Sequence, residues 1–204
     1  LNMLKKQYSM NIQKMNIQEE NTQKNNTQEE LNEYFGGNIW EPSVLEYWEY
    51  SGIQLVDKVD PHEYVIDVGC GFNMFKDKIP NLLGIDPAND AADIKISLEH
   101  FLPDDKFDIA LCLGSINFGD VTKITNQISK VINILKDTSR IYWRCNPGHH
   151  DHDDELCSTI SYFPWNEEWM EFFADMFNYK IKFMKYETHK THNRQRLYSE
   201  WIKE

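Results

Sequence analysis

The sequence Tyr64-Val-Ile-Asp-Val-Gly-Cys-Gly71 is a short apolar run that leads directly into two glycines. A run of this length and composition is typical of a buried strand in a parallel sheet. Gly69 and Gly71 allow a tight turn after the strand, because a residue without a Cβ lets a ligand or another loop come close to the backbone. The stretch therefore predicts a strand followed by a binding loop.

Similar apolar runs recur along the chain and alternate with helical patterns. Further strands are predicted at 82–86, 92–96 (the weakest), 107–113 and 141–145, with a final pair at 179–186 and 196–201. Helical segments are predicted at 72–80, after the capping residue Asp120, and at 165–176. This alternation is the signature of βα units. The sequence predicts an α/β fold, a Rossmann-like doubly wound, mainly parallel sheet with helices on both faces, which binds ligands at the carboxyl ends of its strands.

The first part of the chain has a different composition. Residues 11–30 are four copies of a mainly polar five-residue unit, and a period of five fits neither a helix nor a strand. We therefore expect residues 1–30 to form a low-complexity tail, disordered or loosely helical, with a partner-binding arm as the alternative. Residues 31–204 are expected to form a single domain. Within it, residues 31–60 are rich in aromatic side chains and predict a helical cover that packs on the core or over a ligand pocket.

Charge, hydropathy and cysteine usage restrict the partners. A net charge of −12 makes a nucleic-acid partner unexpected, since protein surfaces that bind nucleic acid are normally basic. No run approaches the ~20 apolar residues of a membrane span, so we expect no membrane partner. Cys70, Cys112, Cys145 and Cys157 are widely spaced and form no C-x-x-C pair, which favours reduced thiols in a cytoplasmic protein.

The glycine motif and a later acidic residue indicate the kind of ligand. A dinucleotide site needs a third glycine to seat the pyrophosphate, and Met74 stands at that position. Asp86 follows Gly71 by fifteen residues, at the end of the second predicted strand, where a carboxylate can accept both hydroxyls of a ribose. The pattern favours adenosine without phosphates.

These motifs resemble those of the class I S-adenosylmethionine-dependent methyltransferases, in the compact standalone type. The family's glycine motif appears as Asp67-Val-Gly-Cys-Gly71 and its ribose-binding acid as Asp86, followed by Pro87. Its fourth-strand segment is similar to residues 107–117, and the resemblance covers about residues 62–148. It implies that the cofactor is S-adenosylmethionine, with S-adenosylhomocysteine as the product.

The resemblance also implies which residues bind the cofactor. They are Asp67, Gly69, Cys70, Gly71, Asp86, Pro87, Ser97, Leu113, Gly114 and Ser115. Asp67 would hold the amino end, Asp86 the ribose, and Pro87 the adenine. The acidic residue that often ends the third strand in this family is absent, so adenine recognition falls to Ser97 or to backbone groups.

The acceptor of the methyl group is expected to be a small molecule or a protein side chain. Because the transfer is an in-line displacement, much of the catalysis can come from positioning. His149 is the best candidate for a base, and Asn117 is a second candidate catalytic residue. The loop that holds His149, His150, His152 and their neighbouring aspartates is read as solvated, as base-supplying or as a metal site, and no metal is assigned. Trp40, Trp48, Trp143 and Trp165 either line an acceptor pocket or belong to the core.

Two other functions fit the same residues. One is a different enzyme on the same fold that binds S-adenosylmethionine without methylating, such as an aminopropyl transferase. The other is a non-catalytic binding or assembly module that uses the repeat tail to reach its partner.

Overall fold

The computed structural model describes residues 27–36, 44–147, 160, 162–191 and 193–203. Its centre is a six-stranded sheet of β1 (Val65–Val68), β2 (Leu82–Ile85), β3 (Phe107–Cys112), β4 (Leu135–Cys145), β5 (Lys180–Thr188) and β6 (Gln195–Ile202). The strand order is β2-β1-β3-β4-β6-β5. The four strands β2, β1, β3 and β4 are parallel, whereas β6 is antiparallel to both β4 and β5. The prediction of a mainly parallel α/β sheet is confirmed, including the final strand pair.

One face of the sheet is covered by two amphipathic helices. These are α2 (Val121–Asn133) and α3 (Glu167–Met176). The side chain of Asp120 caps α2 by accepting a hydrogen bond from the Lys123 N–H at 2.8 Å, as its position in the sequence predicts. The buried sides of both helices pack on every second residue of the strands, for example Trp143. This face of the sheet therefore holds the larger apolar cluster.

The opposite face is covered, within the described part of the chain, by short 3-10 helices. They span Leu45–Tyr47, Ile53–Lys58 and Lys76–Lys78. A second apolar cluster lies beneath them and includes Leu55, which is fully buried. Alternate residues of each central strand belong to the two different clusters, so these strands are apolar on both sides.

Three predicted elements differ from the structure. The predicted third strand at 92–96 is reduced to a single bridge between Ile85 and Ile94, because β2 offers it only four residues and Asp93 uses its side chain to hold the Gly84 N–H. The predicted helix at 72–80 is a series of turns that ends in the 3-10 helix Lys76–Lys78, since Asn73 has a φ of +53°.

The predicted helix after Pro42 is also wrong. The structure has one 3-10 turn there, Leu45–Tyr47. At Gly52 the chain turns back so closely that a Cβ would lie 1.9 Å from the Leu45 carbonyl oxygen, which leaves no room for another helical turn. The N–H groups of Tyr50 and Ser51 donate instead to the Glu187 carboxylate.

A helix that precedes this segment begins earlier than the predicted domain boundary. Helix α1 spans Gln28–Gly36, three residues into the segment predicted as a polar tail. Thr27 and Glu30 form a reciprocal pair, in which the Thr27 hydroxyl accepts from the Glu30 N–H and the Glu30 carboxylate accepts from the Thr27 N–H. This is a capping box, and it starts the helix inside the last copy of the repeat. The division of the chain at residue 30 stays a prediction, because residues 1–26 lie outside the description.

Among the described residues, no helix combines the length and the apolarity that crossing a bilayer requires.

Candidate functional site

The turn after β1 brings three loops together at the carboxyl edge of the sheet. Gly69 and Gly71 adopt φ values of +67° and +53°, which favour glycine. The N–H groups of Gly69 and Cys70 both donate to the carbonyl of Ile85, at 2.8 and 3.0 Å, and so tie the turn to the end of β2. A Cβ on Gly69 would lie 2.4 Å from the Cβ of Ser115. The turn is therefore packed against the loop that follows β3.

Asp86 fixes the geometry of this edge. One carboxylate oxygen accepts the Gly71 N–H at 3.0 Å, and the other accepts the N–H groups of Ala88 and Asn89 at 2.8 and 2.9 Å. A carboxylate has about four acceptor positions, so at least one lone pair stays available to a ligand. The side chain thus organises the glycine turn and its own loop, and it still borders the open space between them.

Asp67 is a buried acid on β1, with 4% of its surface exposed. Burial raises its pKa from the usual 3.8 to about 7, Arg144 opposes the rise, and Asp86 adds to it. Because the pKa in the folded chain exceeds that in the unfolded chain, the carboxyl lowers the stability of the ligand-free protein as the pH rises from about 4 to about 7. A cation bound beside Asp67 would offset this loss.

The loop after β3 supplies open backbone and a buried hydroxyl. Gly114 has a φ of +118°, and a Cβ at this position would meet no atom of the described residues within 4 Å. The Ser115 Oγ is buried, and no described residue forms a hydrogen bond with it. Asn117 is also buried, and its side-chain oxygen accepts the Asn146 N–H at 2.8 Å, which joins this loop to the end of β4. The loop therefore offers a ligand one hydroxyl and an unobstructed stretch of main chain.

These residues surround one cavity at the carboxyl ends of the strands. All ten of the residues assigned to the cofactor line it, namely Asp67, Gly69, Cys70, Gly71, Asp86, Pro87, Ser97, Leu113, Gly114 and Ser115, and so does Asn117. Ser97 shares a hydrogen bond of 2.9 Å with the His100 Nδ1. The Cys70 pKa is raised by burial, so the thiol stays protonated at neutral pH. His149 and the rest of its loop lie outside the described residues.

The tryptophans divide between core and cavity. Trp143 and Trp165 are almost fully buried in the larger apolar cluster, which makes them core residues. Trp48 lines the cavity, as do Leu45 and, from α1, Leu31 and Phe35. Trp40 lies outside the described residues. The aromatic N-terminal segment thus borders the cavity.

Several cavity residues were missed in the sequence. They are Arg144, Asn146, Arg194 and Arg196 at one end and Glu99 with Gln127 at the other. The cavity position of Arg144 could have been inferred from its strand. Side chains alternate between the two faces of a strand, so Arg144 must face away from its buried neighbours Trp143 and Cys145. Arg194 and Arg196 gave no local signal, since only the pairing of β6 with β4 brings them to this edge.

No family model and no curated protein matches the sequence. Solved structures do share the fold. The 1,6-didemethyltoxoflavin N1-methyltransferase of Burkholderia thailandensis is 10% identical, with 76% of this chain and 79% of that chain covered at a TM-score of 0.58. Magnesium protoporphyrin IX methyltransferase of Synechocystis is 14% identical, with 84% and 92% covered at 0.57. A methyltransferase of Archaeoglobus fulgidus dependent on S-adenosylmethionine is 15% identical, with 74% and 91% covered, also at 0.57. The fold is therefore the one that these methyltransferases have.

Proposed function

We propose that the protein is an S-adenosylmethionine-dependent methyltransferase. The observation that carries this proposal is that one cavity, at the carboxyl edge of β1, β2 and β3, is lined by all ten residues assigned to that cofactor. The fold agrees with it, and the Burkholderia and Synechocystis structures contain S-adenosylhomocysteine.

The cavity residues fit this ligand in kind. Asp67 is a buried acid suited to an amino group, and Asp86 keeps acceptor capacity for ribose hydroxyls. The buried Ser115 hydroxyl, which has no partner in the described part of the chain, and the open side of Gly114 suit a ligand that lies along the loop after β3. Met74 lines the cavity where a dinucleotide site needs glycine.

When bound, S-adenosylmethionine supplies a methyl group on a cationic sulfur. The protein's part is to hold an acceptor atom in line with that methyl group, about 3–3.5 Å away, which needs rigid walls more than a reactive side chain. Asn117 contributes rigidity, since its side chain holds the end of β4 against the loop after β3. A direct role for Asn117, and a base role for His149, stay predictions.

We further propose a small-molecule acceptor, as the names of the Burkholderia and Synechocystis enzymes describe for those proteins. Cys70, Cys112 and Cys145 are free thiols, which supports a reducing, cytoplasmic setting.

A thermal-shift panel of S-adenosylmethionine, S-adenosylhomocysteine, NAD and ATP tests the cofactor. At about 100 times its dissociation constant, a ligand adds ~2.7 kcal/mol to the free energy of unfolding. Both adenosyl ligands are expected to give this stabilisation, and the two nucleotides are not. Stabilisation by NAD alone contradicts the proposal. Formation of S-adenosylhomocysteine from S-adenosylmethionine with an acceptor then separates methyl transfer from the other reactions of this fold.

The affinity for S-adenosylhomocysteine is expected to fall by about tenfold when the pH is lowered from 8 to 6. With a pKa of about 7, Asp67 is mostly ionised at pH 8 and mostly protonated at pH 6. Below its pKa, binding of the cationic amino group must first remove the proton, at a cost of about a factor of ten per pH unit. Calorimetric titration at pH 6, 7 and 8 measures the change. Asp67→Asn is the control, and it should bind weakly with no such slope; an equal slope in that variant rules out Asp67 as its source.

A further inference from the structure

Three arginines line the cavity at the end away from Asp86. Arg144 lies on β4, Arg196 lies on β6, and Arg194 immediately precedes β6. In the strand order β2-β1-β3-β4-β6, four strand spacings of about 4.8 Å separate β2 from β6, or roughly 19 Å. The residues assigned to the cofactor occupy the β2, β1 and β3 side. Arg194 and Arg196 therefore belong to the part of the cavity that remains for a second ligand, and Arg144, on the strand next to β3, lies between the two parts.

Arg144 is the central member of this group. Its Nη2 donates to the Leu113 carbonyl at 2.8 Å and its Nη1 donates to the Ser51 Oγ at 3.4 Å. In the described part of the chain no carboxylate lies within ion-pair distance of it, although five N–H groups are available on a guanidinium.

Glu187 and Asp67 are the acids whose charges act on Arg144. The Glu187 carboxylate accepts hydrogen bonds from the Tyr50 N–H, the Ser51 N–H and the Ser51 hydroxyl. Burial lowers the pKa of Arg144 to about 10, against the effect of Glu187, and Arg196 lowers it further. A largely enclosed cation without a bonded counter-charge is costly unless a ligand provides one.

Trp48 holds two of these cations in place. The guanidinium carbons of Arg144 and Arg196 lie 4.9 and 5.8 Å from the centroid of its ring, which is 2% exposed. Cation–π contacts at these distances restrict both side chains. Two like charges are thus kept close together beside the cavity, and an anion bound at Arg144 would offset the effect of the Arg196 charge on it.

Asn146 adds a second kind of contact at this end. It is 2% exposed, lines the cavity, and its buried side-chain oxygen has no hydrogen-bond partner among the residues that the structure describes. A buried acceptor of this kind costs free energy until a donor reaches it.

We propose that the methyl acceptor is an anionic small molecule, whose carboxylate or phosphate is bound by Arg144 and Arg196 and whose N–H or O–H group donates to Asn146. This inference rests on the proposed function. Charge-assisted, bidentate pairing with guanidinium groups is the general way in which proteins recognise both of these anions.

The test uses the full chain saturated with S-adenosylhomocysteine and three probes of similar size. The probes are 4-hydroxybenzoate, phenyl phosphate and the neutral 4-hydroxybenzamide, each titrated by calorimetry or ligand-observed NMR. At least one anion is expected to bind at least about tenfold more tightly than the amide, and which one binds distinguishes a carboxylate site from a phosphate site. Equal binding of all three probes, or no binding of either anion, overturns the inference.

Arg196→Gln supplies the decisive comparison, because Arg144 also supports Leu113 and Ser51 and its replacement risks misfolding. We expect the variant to bind the anion about tenfold or more weakly and S-adenosylhomocysteine with unchanged affinity. Lys182→Gln, which removes an exposed cation from β5, is the matched control and should change neither affinity.

Three results overturn the inference: an unchanged anion affinity in Arg196→Gln, an equal loss of anion affinity in Lys182→Gln, or an equal loss of affinity for S-adenosylhomocysteine in Arg196→Gln. The last would assign the guanidinium to the cofactor's own carboxylate.

The two proposals fail in different ways. If S-adenosylhomocysteine does not bind to the unsubstituted protein, the proposed function is wrong. The anion titrations of the ligand-free protein and of Arg196→Gln still show whether the arginines form an anion site.

Discussion

Replacement of Asp86 by alanine is expected to weaken the binding of S-adenosylhomocysteine by about ten- to a hundredfold. Three N–H groups already occupy acceptor positions of this carboxylate, and the position that remains can accept one ribose hydroxyl, in a hydrogen bond worth about 1.5–3 kcal/mol. The same substitution leaves the N–H groups of Gly71, Ala88 and Asn89 without their acceptor, which loosens the glycine turn itself. Calorimetric titration measures the affinity, and thermal unfolding of the ligand-free protein measures the loss of structure.

Two further variants separate ligand contact from support of the turn. Asp86→Asn keeps one oxygen for the N–H groups of Ala88 and Asn89 and removes the negative charge, so it should retain more stability than the alanine variant while binding weakly. Asp90→Ala removes an exposed carboxylate from the same loop, which pairs with Lys95, and should leave the affinity unchanged. If Asp86→Ala binds as the unsubstituted protein does, the assignment of the ribose to Asp86 is wrong.

Gly69→Ala is expected to lower the free energy of unfolding by about 2–5 kcal/mol and to abolish measurable cofactor binding. A φ of +67° costs an alanine about 1–2 kcal/mol, and the new methyl group would overlap the Ser115 Cβ, which adds about 1–3 kcal/mol of overpacking. Either the turn or the loop after β3 must move, and both border the cavity. Chemical denaturation and calorimetry measure the two effects.

A second-site variant identifies the cause. Ser115→Gly removes the atom that the new methyl group meets at 2.4 Å, and the next nearest atom, the Ser115 Cα, lies at 3.4 Å. The double variant Gly69→Ala, Ser115→Gly should therefore recover about 1–3 kcal/mol relative to the sum of the single effects. If the two effects are additive, the backbone conformation of Gly69 accounts for the loss and the contact with Ser115 does not.

The parallel half of the fold was predictable because its strands are apolar on both faces. Residues 65–68 and 107–112 are apolar except for Asp67, which borders the cavity, and Asp108, which pairs with Lys136, so their length and content identify them as buried strands. The candidate cofactor residues followed from the parallel strands as well. Asp67 and Gly69 lie within or directly after β1 and Asp86 directly after β2, and the carboxyl ends of parallel strands meet at one edge.

Features set by tertiary contacts were not predictable. The segment at 92–96 has strand-like alternation, but pairing needs a neighbour, and β2 accepts it at only one residue pair. The aromatic segment after Pro42 has a helical pattern, yet the close approach of Gly52 to Leu45 ends the helix after one 3-10 turn. Arg194 and Arg196 reach the cavity only through pairing between strands some fifty residues apart in sequence.

The absence of a third paired strand makes β2 an edge of the sheet, and an edge strand exposes a template on which another chain could assemble. In this protein the Gly84 N–H and carbonyl are already bonded to Asp93 and Ile94, and the ion pair between Lys76 and Asp93 lies beside them. Charged side chains and short edge strands are the means by which natural sheets resist aggregation. The bonds of Asp93 and Ile94 to Gly84 therefore protect the chain from assembling with other chains through the β2 edge, which lies next to the glycine turn.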